Sequence, residues 1–136
     1  MSILRQVVEF NQQLRNKIID LEHNCIQMSK RLEECYFFVF QQYGIHVVID
    51  LVRCQKGKNT DEDNIFEESY ESFIEISIEE DEDYYPNAYI PIWKCQRDMF
   101  SLIGYVTRWN IKEIERKVTY ILQEMLEEAR VSENEK

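Results

Sequence analysis

The first thirty-five residues carry an unbroken heptad, and a 3.5-residue apolar repeat held that long is the pattern of a helix that needs a partner helix. Position a falls on Leu4, Asn11, Ile18, Cys25 and Leu32, and position d on Val7, Leu14, Leu21, Met28 and Cys35. Nine of these ten are apolar, Asn11 being the exception. An asparagine at a single a position fixes register and favours a parallel pair, and Lys17 at position g would face Glu22 at position e of the opposite chain. Polar residues occupy the outward faces, so only a narrow stripe is left to bury. The pattern predicts a homodimer through this seam. A helix packed on its own globular domain is the competing reading.

The remaining roughly ninety residues suffice for one small core. A net charge of −10 argues against a dedicated nucleic-acid surface, which needs clustered Lys and Arg. Twelve of the twenty-six acidic residues lie in 61–83, in runs that read as solvated loops or as a docking surface for a basic partner. Arg5, Gln6 and Glu9 interrupt any signal peptide, and the longest apolar run, 35–40, is too short for a membrane span, so a soluble intracellular protein is expected. Cys25, Cys35, Cys54 and Cys95 form no CxxC pair, and only His23 and His46 could join them in a metal site. Reduced core thiols, with no metal and no cofactor, are the expectation. The sequence holds no nucleophile beside a base, no paired-carboxylate motif and, with three glycines, no phosphate cradle. It does not read as an enzyme.

Gly44 is a natural helix terminator, and after it the period drops from 3.5 to 2. Val47, Ile49 and Leu51 alternate through a strand at 45–54, and 55–64 reads as a loop. A second strand runs through Ile65, Phe66 and Tyr70, and a clearer one spans 73–79. Residues 88–92 contain Pro91, which predicts an edge strand or extended segment. Met99, Leu102, Ile103 and Val106 suggest a short helix over 95–106. A last helix starts after Asn110 as N-cap, with Glu113 three residues on, and frays beyond Val131. The fold class is α+β: a coiled-coil helix over 1–43, an antiparallel sheet of three or four strands backed by C-terminal helices over 44–131, and a polar tail over 132–136.

Tyr43-Gly44-Ile45, Phe73-Ile74-Glu75-Ile76-Ser77-Ile78, Tyr89-Ile90-Pro91-Ile92, the stretch 97–105, Ile111 and the run 117–122 together resemble the RWD-type domains of kinetochore and chromosome-segregation proteins. Within that group the likeness is to the homodimeric coiled-coil subunit of monopolin. The outer-kinetochore Ndc/Spc subunits and the C-terminal domain of the Mad-type spindle-checkpoint scaffold share the layout. This coil is shorter than those families carry, and 61–83 is more acidic. The resemblance implies an RWD-like head, a nuclear location at kinetochore or nucleolus (otherwise the cytoplasm), and a non-enzymatic crosslinker of kinetochore or chromatin proteins.

A partner surface needs apolar anchors left over from the core, and aromatic side chains dominate such sites. Tyr89, Ile90, Ile92, Trp93 and Phe100 crowd one stretch and mark the candidate groove, Tyr89 and Trp93 foremost. The cluster of Tyr36, Phe37, Phe38 and Phe40 reads as packing at the junction of coil and head. A small acidic inhibitor, such as a toxin-immunity protein or a phage DNA mimic, fits size and charge as well, but needs no seam.

Overall fold

In a computed structural model, which describes residues 3–134, the apolar stripe is divided between two kinds of structure. Leu4–Val7 form a strand, β1, and helix α1 spans Gln12–Gln41. The division falls at Asn11, whose extended backbone (φ −133°, ψ 177°) lets its Oδ1 accept the Leu14 N–H at 2.9 Å. An asparagine N-cap serves an N–H that no helical carbonyl reaches and contributes about 1 kcal/mol. The expected seam is therefore corrected at its start. Leu4 and Val7 belong to a sheet, and Asn11 caps the helix where a register pin was expected.

The rest of the stripe faces inward except at its end, Cys35. Ile18, Cys25, Met28 and Leu32 are buried, Leu14 and Leu21 are half-buried against the same core, and Cys35 is exposed. Glu22, expected at a chain–chain contact, is fully buried within its own chain. Over a single helix the 3.5 and 3.6 periods drift apart by only about 20° per heptad, so a seam for a second helix and a face for a sheet look alike. One core draws on α1, the sheet and the final helix, so 1–43 is not a separate stalk.

Gly44 ends α1 as expected, at φ +71°, with its N–H on the Gln41 carbonyl and the Ile45 N–H on that of Phe40. Then follow β2 (His46–Gln55), β3 (Lys58–Asn59), a 3-10 turn (Glu62–Asn64), β4 (Tyr70–Glu80), β5 (Asp83–Asp98), β6 (Ser101–Thr107) and helix α2 (Ile111–Asn134). The six strands form one antiparallel sheet in the order β1-β6-β5-β4-β2-β3. Asn110 and Glu113 exchange bonds at the start of α2, the Glu113 N–H on Asn110 Oδ1 at 2.9 Å and the Asn110 N–H on Glu113 Oε1 at 3.3 Å. Ile114, Val118, Leu122 and Met125 are the buried stripe of α2. The helix continues to Asn134, through residues expected in the polar tail, and 135–136 lie outside the described residues.

One further expectation holds and two change. Residues 88–92 lie inside β5 and pair with β4 alone, because pairing with β6 begins only at Trp93, so the stretch around Pro91 is an edge, as expected. Pro86 and Pro91 are tolerated there because each sits beside a register shift, opposite Ser77 and Phe73, where the ladder is already interrupted. Residues 95–106 are strand, with Met99 and Phe100 as a two-residue turn between paired Asp98 and Ser101. Ile65 and Phe66 precede β4 and belong to no strand. Their role is to roof the Trp93 site. The Trp93 indole donates to the Ile65 carbonyl at 2.7 Å, and its ring occupies the space that a side chain at Gly104 would fill.

Candidate functional site

The anchors expected on β5 do not form one surface. Ile90, Ile92 and Trp93 are buried among core residues, which removes them as exposed contacts. Tyr89 projects from the opposite face, 56% exposed and edge-on to Phe73 with ring centroids 5.5 Å apart. Phe100 lies at the β5–β6 turn, 94% exposed. Alternation along a strand sends successive side chains to opposite faces, so an aromatic-rich strand is no measure of an aromatic patch.

A groove forms instead where α1 overhangs the edge of the sheet. Ile26, Lys30, Glu33 and Phe37 follow helical spacing on a face of α1 beside the buried stripe, and Ser29 lies between that face and the core. With Phe38, His46, Ile49 and Leu51 they line a groove of about 820 Å³. Phe37 and Phe38 meet edge-to-face at 5.3 Å, and Phe37 meets His46 the same way at 6.0 Å. These aromatics were expected to be junction packing. In the structure Phe38 is 72% exposed, while Phe40 enters the core and Tyr36 packs against it as expected. Ser29 Oγ is buried and has no hydrogen-bond partner among the described residues.

The floor of the groove is a sheet edge. β2 pairs along its whole length with β4, but β3 covers it only at Cys54 and Gln55. In an antiparallel strand the N–H and C=O of one residue point the same way, and the direction alternates. The Ile49 N–H points away from β4, because it reaches Glu33 Oε2 at 3.2 Å, and so does the Arg53 carbonyl, which accepts from Thr60. Val47, Ile49 and Leu51 therefore present their backbone groups outward. Among the described residues only the Ile49 N–H has a partner there. Glu33 occupies the place of a neighbouring strand's carbonyl.

Charge around the edge is mostly negative. Glu33, Glu34 and Asp50 line the groove against Lys30, and His46 Nδ1 lies 3.1 Å from Glu79. On the solvent face of the sheet Asp50 stands directly opposite Glu75 in the ladder, and neither has a basic partner among the described residues. Partial burial, and then the Asp50 charge, raise the Glu75 pKa above the ordinary carboxyl range. Like charges in directly opposed positions destabilise a sheet.

The other notable polar cluster is structural. Glu22 takes the Tyr70 hydroxyl at 2.7 Å and Arg53 Nε at 2.9 Å, and Arg53 lies 3.9 Å from Glu62, which pairs with His23. Burial and the Glu22 charge push the Tyr70 hydroxyl well above its ordinary range, so it stays a donor. This ties α1 to β2 and β4, and the groove does not reach it. Among the described residues no group of three or more His, Cys, Asp or Glu side chains is placed to hold a metal ion, and no helix is long and apolar enough to cross a membrane. No protein-family model, curated protein or solved structure matches the chain, and nothing in these comparisons identifies an RWD or monopolin-type domain.

Proposed function

We propose that this protein is a non-catalytic binding module that captures a segment of a partner protein in the groove between α1 and the β2 edge. The observation that carries the reading is the run of outward backbone groups at Val47, Ile49 and Leu51, the last two lining the groove together with Ile26, Phe37 and Phe38 of α1. The exposed aromatics Phe37 and Phe38 in the groove support it, since aromatic anchors dominate protein-binding surfaces. So does Ser29, because a buried hydroxyl left unpaired costs about 1–3 kcal/mol and a partner can supply what it lacks. The order of long helix, antiparallel sheet and closing helix supports one setting, the RWD-like adaptor of kinetochore or chromatin proteins. A small acidic inhibitor is the second reading, favoured by the exposed carboxylates of Glu79, Glu80, Asp81, Glu82 and Asp83 around the β4–β5 turn.

The test is selection of binders to the full chain from a random peptide library, followed by remeasurement against a Phe37→Ser, Phe38→Ser double variant. Both side chains are exposed, so the urea midpoint should hold while affinity falls at least about tenfold, the loss of one hot-spot contact. Selected peptides that bind the variant as tightly as the wild type would move the site elsewhere.

A further inference from the structure

The groove combines two recognition elements that share one geometry. Its floor presents outward backbone groups at strand spacing, of which the Ile49 N–H is held by Glu33, and its α1 side carries the apolar Ile26, Phe37 and Phe38 among Lys30, Glu33 and Glu34. A strand lying there would alternate its side chains between the α1 side and the solvent face. On the solvent face it would run beside Asp50, whose carboxylate is already opposed by Glu75. The α1 side calls for apolar residues, and the solvent side calls for cations.

From this we infer, resting on the groove as the binding site, that the partner is an extended basic segment that adds to the β2 edge as a seventh strand. Its apolar residues alternate under α1 with Lys or Arg beside Asp50, and one of its carbonyls replaces Glu33 on the Ile49 N–H. Main-chain bonds then supply affinity, and the alternate side chains supply selectivity. A second copy of this chain is the less favoured occupant, because each copy carries a net charge of −10 and the same acidic rim would meet itself. Glu33 acts meanwhile as a gatekeeper, since an uncovered edge is otherwise a template for aggregation.

The experiment uses peptides selected from the library and the isotopically labelled full chain. Selected sequences should alternate apolar and basic residues, shift the amide signals of residues 47–51, and slow exchange of the Val47 and Leu51 amides. N-methylation at alternate peptide positions should weaken binding about tenfold or more, and at the intervening positions much less. Asp50→Asn should weaken basic peptides and leave uncharged analogues unchanged. Peptides that shift the groove signals but bind as helices, are acidic, or tolerate N-methylation at every position would overturn the strand-addition inference and leave the groove standing. Absence of any selected peptide that shifts these signals would overturn both. Sedimentation showing that the chain self-associates through residues 47–51 would also overturn the inference, by giving the edge to a second copy.

Discussion

Gly104→Ala should be among the most damaging single-methyl changes in this fold. A Cβ built there lies 2.0 Å from Trp93 Cη2, 2.5 Å from Cζ3 and 2.9 Å from Cζ2, where carbon atoms need roughly 3.5–4 Å. The indole has little freedom to yield. Its N–H is bonded to the Ile65 carbonyl, Phe10 and Phe66 pack on it with centroids at 5.7 and 6.1 Å, and it is 1% exposed. Overpacking costs about 1–3 kcal/mol, and a shift that breaks the indole bond leaves a buried carbonyl unpaired at about 1–3 kcal/mol. Replacing a strand glycine returns about 0.5–1 kcal/mol through the unfolded chain. The net expectation is about 3 kcal/mol, a large part of the 5–15 typical of a domain. Urea unfolding followed by far-UV circular dichroism should show the midpoint falling by about 1.5 M at a slope near 2 kcal/mol per M. In a Trp93→Leu background the same change should cost almost nothing. A cost below about 1 kcal/mol, or an equal cost in both backgrounds, would refute the account of Gly104 as space reserved for the indole.

Glu75→Gln should stabilise the chain by about 0.5 kcal/mol at neutral pH by removing a like-charge opposition across the ladder. Because the folded-state pKa of Glu75 is raised, by burial first and Asp50 second, the wild type is fully relieved below the ordinary glutamate pKa and loses stability as pH rises through the raised value. The gain measured by urea midpoint should therefore vanish in acid, and a gain unchanged by pH would contradict the assignment. The four thiols should also separate by reactivity toward Ellman's reagent. Cys35 is exposed and should react at once, while burial, with Glu22 adding to it, pushes the Cys25 thiol up to about 12, and burial pushes Cys95 up to about 11. Those two should react only as fast as the chain opens, so uniform labelling of all four would show that the core is not closed around them.

What local chemistry decides was readable from the residues. The end of α1 at Gly44, the alternation in β2 and β4, and the Asn110–Glu113 box of α2 depend on neighbours a few positions away. The failures share a different cause. Leu102, Ile103 and Val106 satisfy helical and strand spacing alike, and only pairing with residues 93–98 settles which applies. Glu22 reads as the partner of Lys17 on a second chain because its true partners, Arg53 and Tyr70, lie 31 and 48 residues away in its own. The groove was hidden because its floor is defined by what β2 lacks, and strand order is a property of the whole sheet. One signal lay in the residues: Ile26 and Phe37 fall outside the a and d positions of the heptad, and about three helical turns separate them, which puts both on one face of α1 beside the buried stripe.

The pairing of β1 with β6 joins Leu4 to Thr107 and Val7 to Gly104, so the strand that precedes α1 lies beside the last strand of the sheet. Closing a loop of that length carries its entropic cost before any contact offsets it. The hairpins β2–β4, β4–β5 and β5–β6 can assemble in order as they emerge, whereas the N-terminal strand must wait for the final third of the chain. Synthesis therefore leaves the seven-residue β6 as the outer strand of the sheet until the four-residue β1 docks beside it, and a chain lacking residues 4–7 would keep that longer edge in place of the short one.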